Sequence, residues 1–146
     1  MSDTPVPHLT AITLGVREVD AAARFYTDGL GFALVSRIGD EIAFVQAGPG
    51  LMLALWNVAS MPDEYGAVGH GPLAPPMSLG HNVTRPEHVE ALYRRALAAG
   101  ATSIGEPRKQ QWGGTSACVA DPDGFRWDFV HNPTFAVGAD GTITGV

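Results

Sequence analysis

Positive charge is scarce in this sequence. Its 146 residues hold nine Lys and Arg against fifteen Asp and Glu, for a formal net charge of −6, and no basic run occurs. A chain without a basic patch has no electrostatic grip on nucleic acid or on an anionic membrane, so neither is expected as a partner. Long apolar stretches are missing as well: none approaches the roughly 20 residues that cross a bilayer as a helix. The opening MSDTPVPHLT has neither the basic nor the apolar segment of a secretory leader, and a cytoplasmic location is expected. Cysteine is nearly absent. The single Cys118 forbids an internal disulfide and suits a reducing compartment; in its apolar run ACVA it reads as core rather than nucleophile.

What is present is core material. Hydrophobic residues make up 45% of the chain and charged ones only 16%, which suits one folded domain or two small halves sharing a core. Residues 8–16 read as a strand, and Val19, Ala22, Ala23 and Tyr26 recur at helical spacing until Gly29 and Gly31 stop the helix. Strands are expected at 32–38, 41–47 and 51–57, divided by Gly39-Asp40 and Gly48-Pro49-Gly50. Residues 58–76, rich in Gly and Pro, read as a long linker or lid loop.

The pattern then restarts. A strand is expected at 77–83, followed by a helix that Thr84-Arg85-Pro86-Glu87 opens with capping-box spacing, Glu87 reaching back to the Thr84 N–H. Val89, Leu92, Tyr93, Ala96 and Leu97 give that helix its apolar face, and Gly100 ends it. Strands follow at 102–106, 115–120 and 125–131, the last two joined by a tight turn at Asp121-Pro122-Asp123-Gly124. Residues 134–146 form a tail. The order strand, helix, three strands thus occurs twice, at an interval of 67 residues if Val16 and Val83 are equivalent, which predicts an α+β protein of two tandem βαβββ modules at 8–57 and 77–133.

The stretches ITLGVREVDAAARFYTDGLGF and DPDGFRWDFV resemble the vicinal oxygen chelate superfamily, which includes glyoxalase I, extradiol dioxygenases, fosfomycin-resistance enzymes and bleomycin-binding proteins. LGHNV, QWGG and WDFVHNP are similar to an uncharacterised, glyoxalase-like bacterial subgroup. The resemblance runs from about Leu9 to Pro133. It implies one glyoxalase-like domain over 1–146 whose paired modules curl a mixed sheet into a U around a cavity, commonly within a homodimer. In metal-dependent members the first and last strand of each module supply the ligands, typically His or Gln and then Glu. Carried over residue by residue, those positions are Ala11, Ser78, Ala54 and Asp128. Alanine binds nothing, and a divalent transition metal wants at least three N or O ligands. No metal and no other cofactor is therefore expected, and a glyoxalase I or extradiol dioxygenase activity is not.

The histidines do not repair the set. His8, His70 and His88 have no ligand-like spacing, and His81 and His131 stand at the opposite strand parity to Ser78 and Asp128. Parity gives a pocket list instead: Ala11, Thr13, Gly15, Ser78, Gly80 and Asn82 from the first strands, Met52, Ala54, Trp56, Arg126, Asp128 and Val130 from the closing ones. Apolar volume with a few converging polar groups is the composition of a small-molecule site. Thr13, Met52, Trp56, Ser78, Asn82, Arg126 and Asp128 are its candidate ligand-binding residues, with Trp112 on a lip at 110–114. Arg126 and Asp128 are either a pair within that site or a surface salt bridge, and Trp112 is either an aromatic lip or a packed turn residue.

No Ser/His/Asp grouping, phosphate loop or paired carboxylate appears in the list. Three functional classes follow. The first is a metal-free binder of a small organic molecule, as in sequestration of a toxic compound. The second is a metal-independent isomerase or lyase with Asp128 as catalytic acid or base. The third is a metalloenzyme with an unusual set such as Asp128 and His131.

Overall fold

The computed structural model describes residues 3–69 and 71–145. The chain is mixed α+β and divides into two compact units, one ending at Gly69 and one formed by the residues that follow.

The first unit holds strands β1 (Ala11–Val16), β2 (Ala33–Ile38), β3 (Ile42–Gly48) and β4 (Leu51–Asn57), with helix α1 (Val19–Arg24) after β1. The sheet runs β1-β4-β3-β2, with β1 parallel to β4 and the other pairs antiparallel. Gly39 and Gly50 take positive φ (51° and 68°) and make the two hairpin turns that the sequence marks. Alternation then sorts the side chains. Leu14, Val16, Val45, Leu53 and Leu55 are buried on one face, under Val19, Ala22 and Ala23 of α1. Each such Val or Leu contributes about 1.5–3 kcal/mol by leaving water. After Arg24 the helix widens into a π turn over Phe25–Gly29, in which the Leu30 N–H bonds the Phe25 carbonyl at 2.9 Å. The turn buries Phe25 and Tyr26 edge to face, their ring centres 5.0 Å apart.

The 58–76 stretch is less of a loop than expected. Val58–Ser60 forms a 3₁₀ turn and Pro62–Tyr65 a short helix α2, with Pro62 in the first turn. The Asn57 side chain accepts the Ala59 N–H at 3.0 Å and starts the turn. Met61 fixes its position: a Cβ on Gly15 of β1 would lie only 2.6 Å from Met61 Sδ and 3.0 Å from Val58. Gly15 makes room for that contact, which periodicity alone cannot signal.

The second unit repeats the order with β5 (Ser78–Asn82), α3 (Pro86–Ala98), β6 (Thr102–Lys109), β7 (Thr115–Ala120) and β8 (Arg126–His131). Its sheet runs β5-β8-β7-β6, again with the first and last strands parallel. Val89, Tyr93 and Ala96 of α3 cover Leu79, Ala117, Val119, Trp127 and Phe129, and the Tyr93 hydroxyl donates to Ser103 Oγ at 2.7 Å.

The capping box does not form. The N-cap residue of α3 is Arg85, no side chain caps the helix, and Glu87 Oε1 lies 3.4 Å from Arg85 Nε instead. A neighbouring cation outcompetes the Thr84 N–H for the carboxylate. β6 also runs three residues beyond Glu106, through Pro107, because an edge strand does not need the missing N–H. The tail carries a small hairpin, β9 (Ala136–Val137) with β10 (Ile143–Gly145). Among the described residues no helix is long and apolar enough to cross a membrane.

Candidate functional site

The turn at 121–124 sets the geometry of the second sheet. Asp121, only 4% exposed, accepts the N–H groups of Asp123 (2.9 Å) and Phe125 (2.8 Å) with one carboxylate oxygen. Gly124, at φ 92°, closes the turn by donating to the Asp121 carbonyl at 3.0 Å. Asp and Gly are what such a turn requires. It locks β7 to β8 in one register: Ala120 with Arg126, Cys118 with Asp128, Ser116 with Val130. The parallel pairing on the other side sets Ser78 beside Arg126, Gly80 beside Asp128 and Asn82 beside Val130.

Paired residues share a face, so the structure brings Ser78, Asn82, Arg126 and Asp128 together on the face that α3 does not cover. Ser78, Gly80 and Asn82 are exposed there, and Asp128 is half-buried. Arg126 does not salt-bridge Asp128; its Nη1 donates to the Gly124 carbonyl at 3.0 Å. Among the described residues Asp128 has no ion-pair partner within 4.0 Å.

Cys118 is the site residue that sequence reading misplaced. It is half-buried on the open face beside Asp128, not in the core. Burial, then the Asp128 charge, push its thiol up, against a smaller pull from Arg126; the thiol donates to the Val119 carbonyl at 3.9 Å. The proton therefore stays on sulfur. Pairing the hairpin outward from its turn would have found this residue, since Cys118 and Asp128 lie equally far from its centre.

In the first unit Thr13 pairs with Ala54, Ala11 with Met52 and Gly15 with Trp56, all on the face opposite α1. Trp56 donates its indole N–H to Glu41 Oε1 at 2.8 Å and meets Tyr65 edge to face at 5.4 Å. Hydrogen bonds from Ser60 and from Trp56 hold the Glu41 carboxyl below its usual range. Trp56 is thus anchored at the end of its strand, with Thr13 and Met52 on the same face. Trp112 lies in the turn between β6 and β7, 56% exposed, its ring folded over Gly114 so closely that a Cβ there would overlap it. The lip is a defined turn: Gln110 N–H bonds the Gly114 carbonyl at 2.7 Å, and its side chain donates to Ser116 Oγ at 2.8 Å.

His81 and His131 stand apart from this face. The His81 ring lies 6.4 Å from Phe129, on the α3 side. His131 pairs with Thr115 at the same parity as Phe129. His8 contacts the Gly50 carbonyl at 3.3 Å, His88 contacts Arg85 at 3.0 Å, and His70 lies outside the described residues.

Ala54 holds in the first sheet the place that Asp128 holds in the second, each beside the third residue of the unit's opening strand. A metal of the kind the fold suggests would draw on Ala11, Ala54, Ser78 and Asp128. Two of these side chains have no donor atom, and no group of three or more His, Cys, Asp or Glu among the described residues is placed to hold an ion. These residues do not fit such a metal.

Residues 7–129 match the family model of the glyoxalase/bleomycin resistance protein/dioxygenase superfamily. A bleomycin resistance protein from Klebsiella pneumoniae is 30% identical over 143 residues, covering 93% of this chain and 98% of its own. A solved glyoxalase-related enzyme from Fulvimarina pelagi aligns over 95% of this chain and 98% of its own, with 38% identity and a TM-score of 0.84. A glyoxalase/bleomycin resistance protein/dioxygenase from Nocardioides aligns over 88% of this chain and 85% of its own, with 25% identity and a TM-score of 0.73.

Proposed function

The chain belongs to the glyoxalase/bleomycin resistance protein/dioxygenase superfamily, and from that premise we propose that it is a metal-free binder of a small organic molecule. The pairing of Thr13 with Ala54 where Gly80 meets Asp128 carries the reading. One carboxylate survives on the open face of one sheet, without the companions that metal chemistry needs. Such a carboxylate serves as an acceptor and a negative charge. Ser78, Asn82 and Arg126 supply orienting groups beside it on the same sheet. In the first unit Thr13, Met52 and Trp56 are the candidate contact residues of that unit's own open face.

Sequestration of bleomycin or a related compound is the form favoured by the 30% identity to a bleomycin resistance protein over nearly the full chain. A cytoplasmic homodimer is the form in which we expect it to work. Edge strand β2 supports this assembly, since all six of its residues are exposed, Leu34, Val35 and Ile38 among them. Titration of tag-free protein with bleomycin tests the reading. Saturable binding that Asp128→Asn weakens supports it, and no heat at any accessible concentration contradicts it.

A second reading has its own support, the 38% identity to a glyoxalase-related enzyme. In it Asp128 is the acid or base of a metal-independent isomerase or lyase, with Asn82 or Ser78 orienting the substrate. Asp128→Asn separates the two. It leaves affinity for a neutral ligand nearly intact in a binder, and lowers turnover by about 10²-fold or more in an acid/base enzyme.

A further inference from the structure

The segment that follows β4 covers one end of the first sheet. Gly15 stands between Leu14 and Val16, which are buried on the α1 side, so a Cβ at Gly15 would point to the opposite, open face. There it would lie 2.6 Å from Met61 Sδ and 3.0 Å from Val58 Cγ2. Met61 and Val58 therefore sit on the open face, over the row that pairs Gly15 with Trp56. Tyr65 completes the cover, edge to face on the Trp56 ring at 5.4 Å between centres.

Little holds this cover in place. Its 3₁₀ turn has three residues and α2 has four, too few for either to persist without outside contacts. Met61 is the one buried side chain between residues 58 and 65, and Tyr65 is 52% exposed. Trp56 is fixed separately, by its 2.8 Å bond to Glu41 Oε1, so its ring stays behind if Tyr65 leaves.

The ends and the interior of the segment suit a rigid swing. Asn57 stays with the sheet, its N–H bonded to the Glu41 carbonyl at 2.9 Å. Gly66, at φ 75° and ψ −171°, takes a conformation that is essentially restricted to glycine. A Cβ there would meet nothing within 4 Å, so glycine serves its backbone and not a packing need. Between these ends the N–H groups of Met61, Tyr65 and Gly66 bond the carbonyls of Val58, Met61 and Pro62, which ties the segment into one piece.

We propose that residues 58–65 are a lid, latched by Met61 in the notch above Gly15, which swings as one piece between Asn57 and Gly66 and bares the Trp56 end of the first sheet to ligand. Hinges of this kind are a few element-terminal residues that absorb the backbone change. The proposal rests on the proposed function only in calling the bared surface a ligand face.

Amide exchange of the ¹⁵N-labelled full chain tests the motion. The Met61, Tyr65 and Gly66 amides are expected to share one protection factor, about 100-fold or more below those of Leu53 and Leu55 in the middle of β4. Met61→Ala should lower all three together by about tenfold or more and leave Leu53 and Leu55 unchanged. Met61→Leu, which refills the notch, should restore them. Gly15→Ala places a Cβ in the notch and should act as Met61→Ala does. In both opening variants the Trp56 indole N–H resonance should move toward its position in Tyr65→Ala, while those of Trp112 and Trp127 hold.

Exchange of the three amides only with global unfolding, exchange at unrelated rates, or a Trp56 resonance indifferent to both variants would each overturn the lid. Saturating metal-free bleomycin should change the shared protection factor by about tenfold or more. Bleomycin binding that leaves it unchanged removes the lid's role and leaves the proposed function. Concerted opening in a protein that does not bind bleomycin keeps the lid and removes that ligand.

Discussion

Gly15 and Met61 show how much one missing Cβ decides. A Cβ at position 15 would collide with Met61 Sδ at 2.6 Å and press on Val58 at 3.0 Å. Gly15→Val should therefore cost about 1–3 kcal/mol in urea unfolding, the usual range for overpacking. Adding Met61→Ala should recover part of that loss, because it removes the colliding atom. His81 carries a pH prediction. Burial lowers its pKa below the usual 6.5, so the folded state favours the neutral ring. The stability tied to that ring is fully present above pH 6.5 and is lost as pH falls through the lower folded value. An NMR titration should place the midpoint below 6.5, and His81→Gln should reduce the acid-side slope of stability. At this scale the sequence was legible wherever alternation decides facing. Asp128, Ser78 and Asn82 share a face as parity predicts, and His81 lies on the other. Cys118 was missed because an apolar run hides which of its members points outward.

Elements were legible where turns or periodicity punctuate the chain. β4 and β7 lie where the sequence places them, β4 opening after Gly50 and β7 held between Gly114 and Asp121. α3 starts with Pro86 in its first turn, as the sequence indicates, but its cap differs from the expected capping box, and this has a consequence for stability. Its N-cap position is extended (φ −140°, ψ 143°) but holds Arg85, which offers no acceptor to the first N–H groups. Arg85→Asp should stabilise the protein by about 0.5–2 kcal/mol, seen as a higher melting temperature. The exposed contacts it gives up, to Glu87 and His88, are worth little at the surface. The turns at 58–65 were hidden because they depend on a contact with Gly15, and β6 because Pro107 reads as a stop unless the strand is known to be an edge.

At the scale of the whole molecule the repeat is the dominant fact. Two sheets share one strand order, and the same parallel pairing sets Ala54 and Asp128 at matching places. A chain that ends one module in Ala and the other in Asp has kept the architecture without a four-ligand metal set. The antiparallel edge strands of the two sheets, β2 and β6, differ in kind. β6 carries Pro107, three charged residues and two register shifts, whereas β2 has one charged residue and one shift and exposes Leu34, Val35 and Ile38 at 52, 51 and 65%. Edges are normally blunted as β6 is. A homodimer that uses β2 should sediment as a dimer at micromolar concentration, and Val35→Lys should shift it toward the monomer; a wild-type monomer would count against the assembly.

The central claim, that a small organic molecule binds here through Asp128 and without a metal, is tested most directly by calorimetry. Chelator-treated, tag-free protein is titrated with metal-free bleomycin, beside its Asp128→Asn variant. The account predicts saturable binding to the metal-free wild type, weakened by about tenfold or more in the variant, since a charged hydrogen bond is lost. Absence of binding, or binding that appears only when a divalent metal is returned, would contradict it.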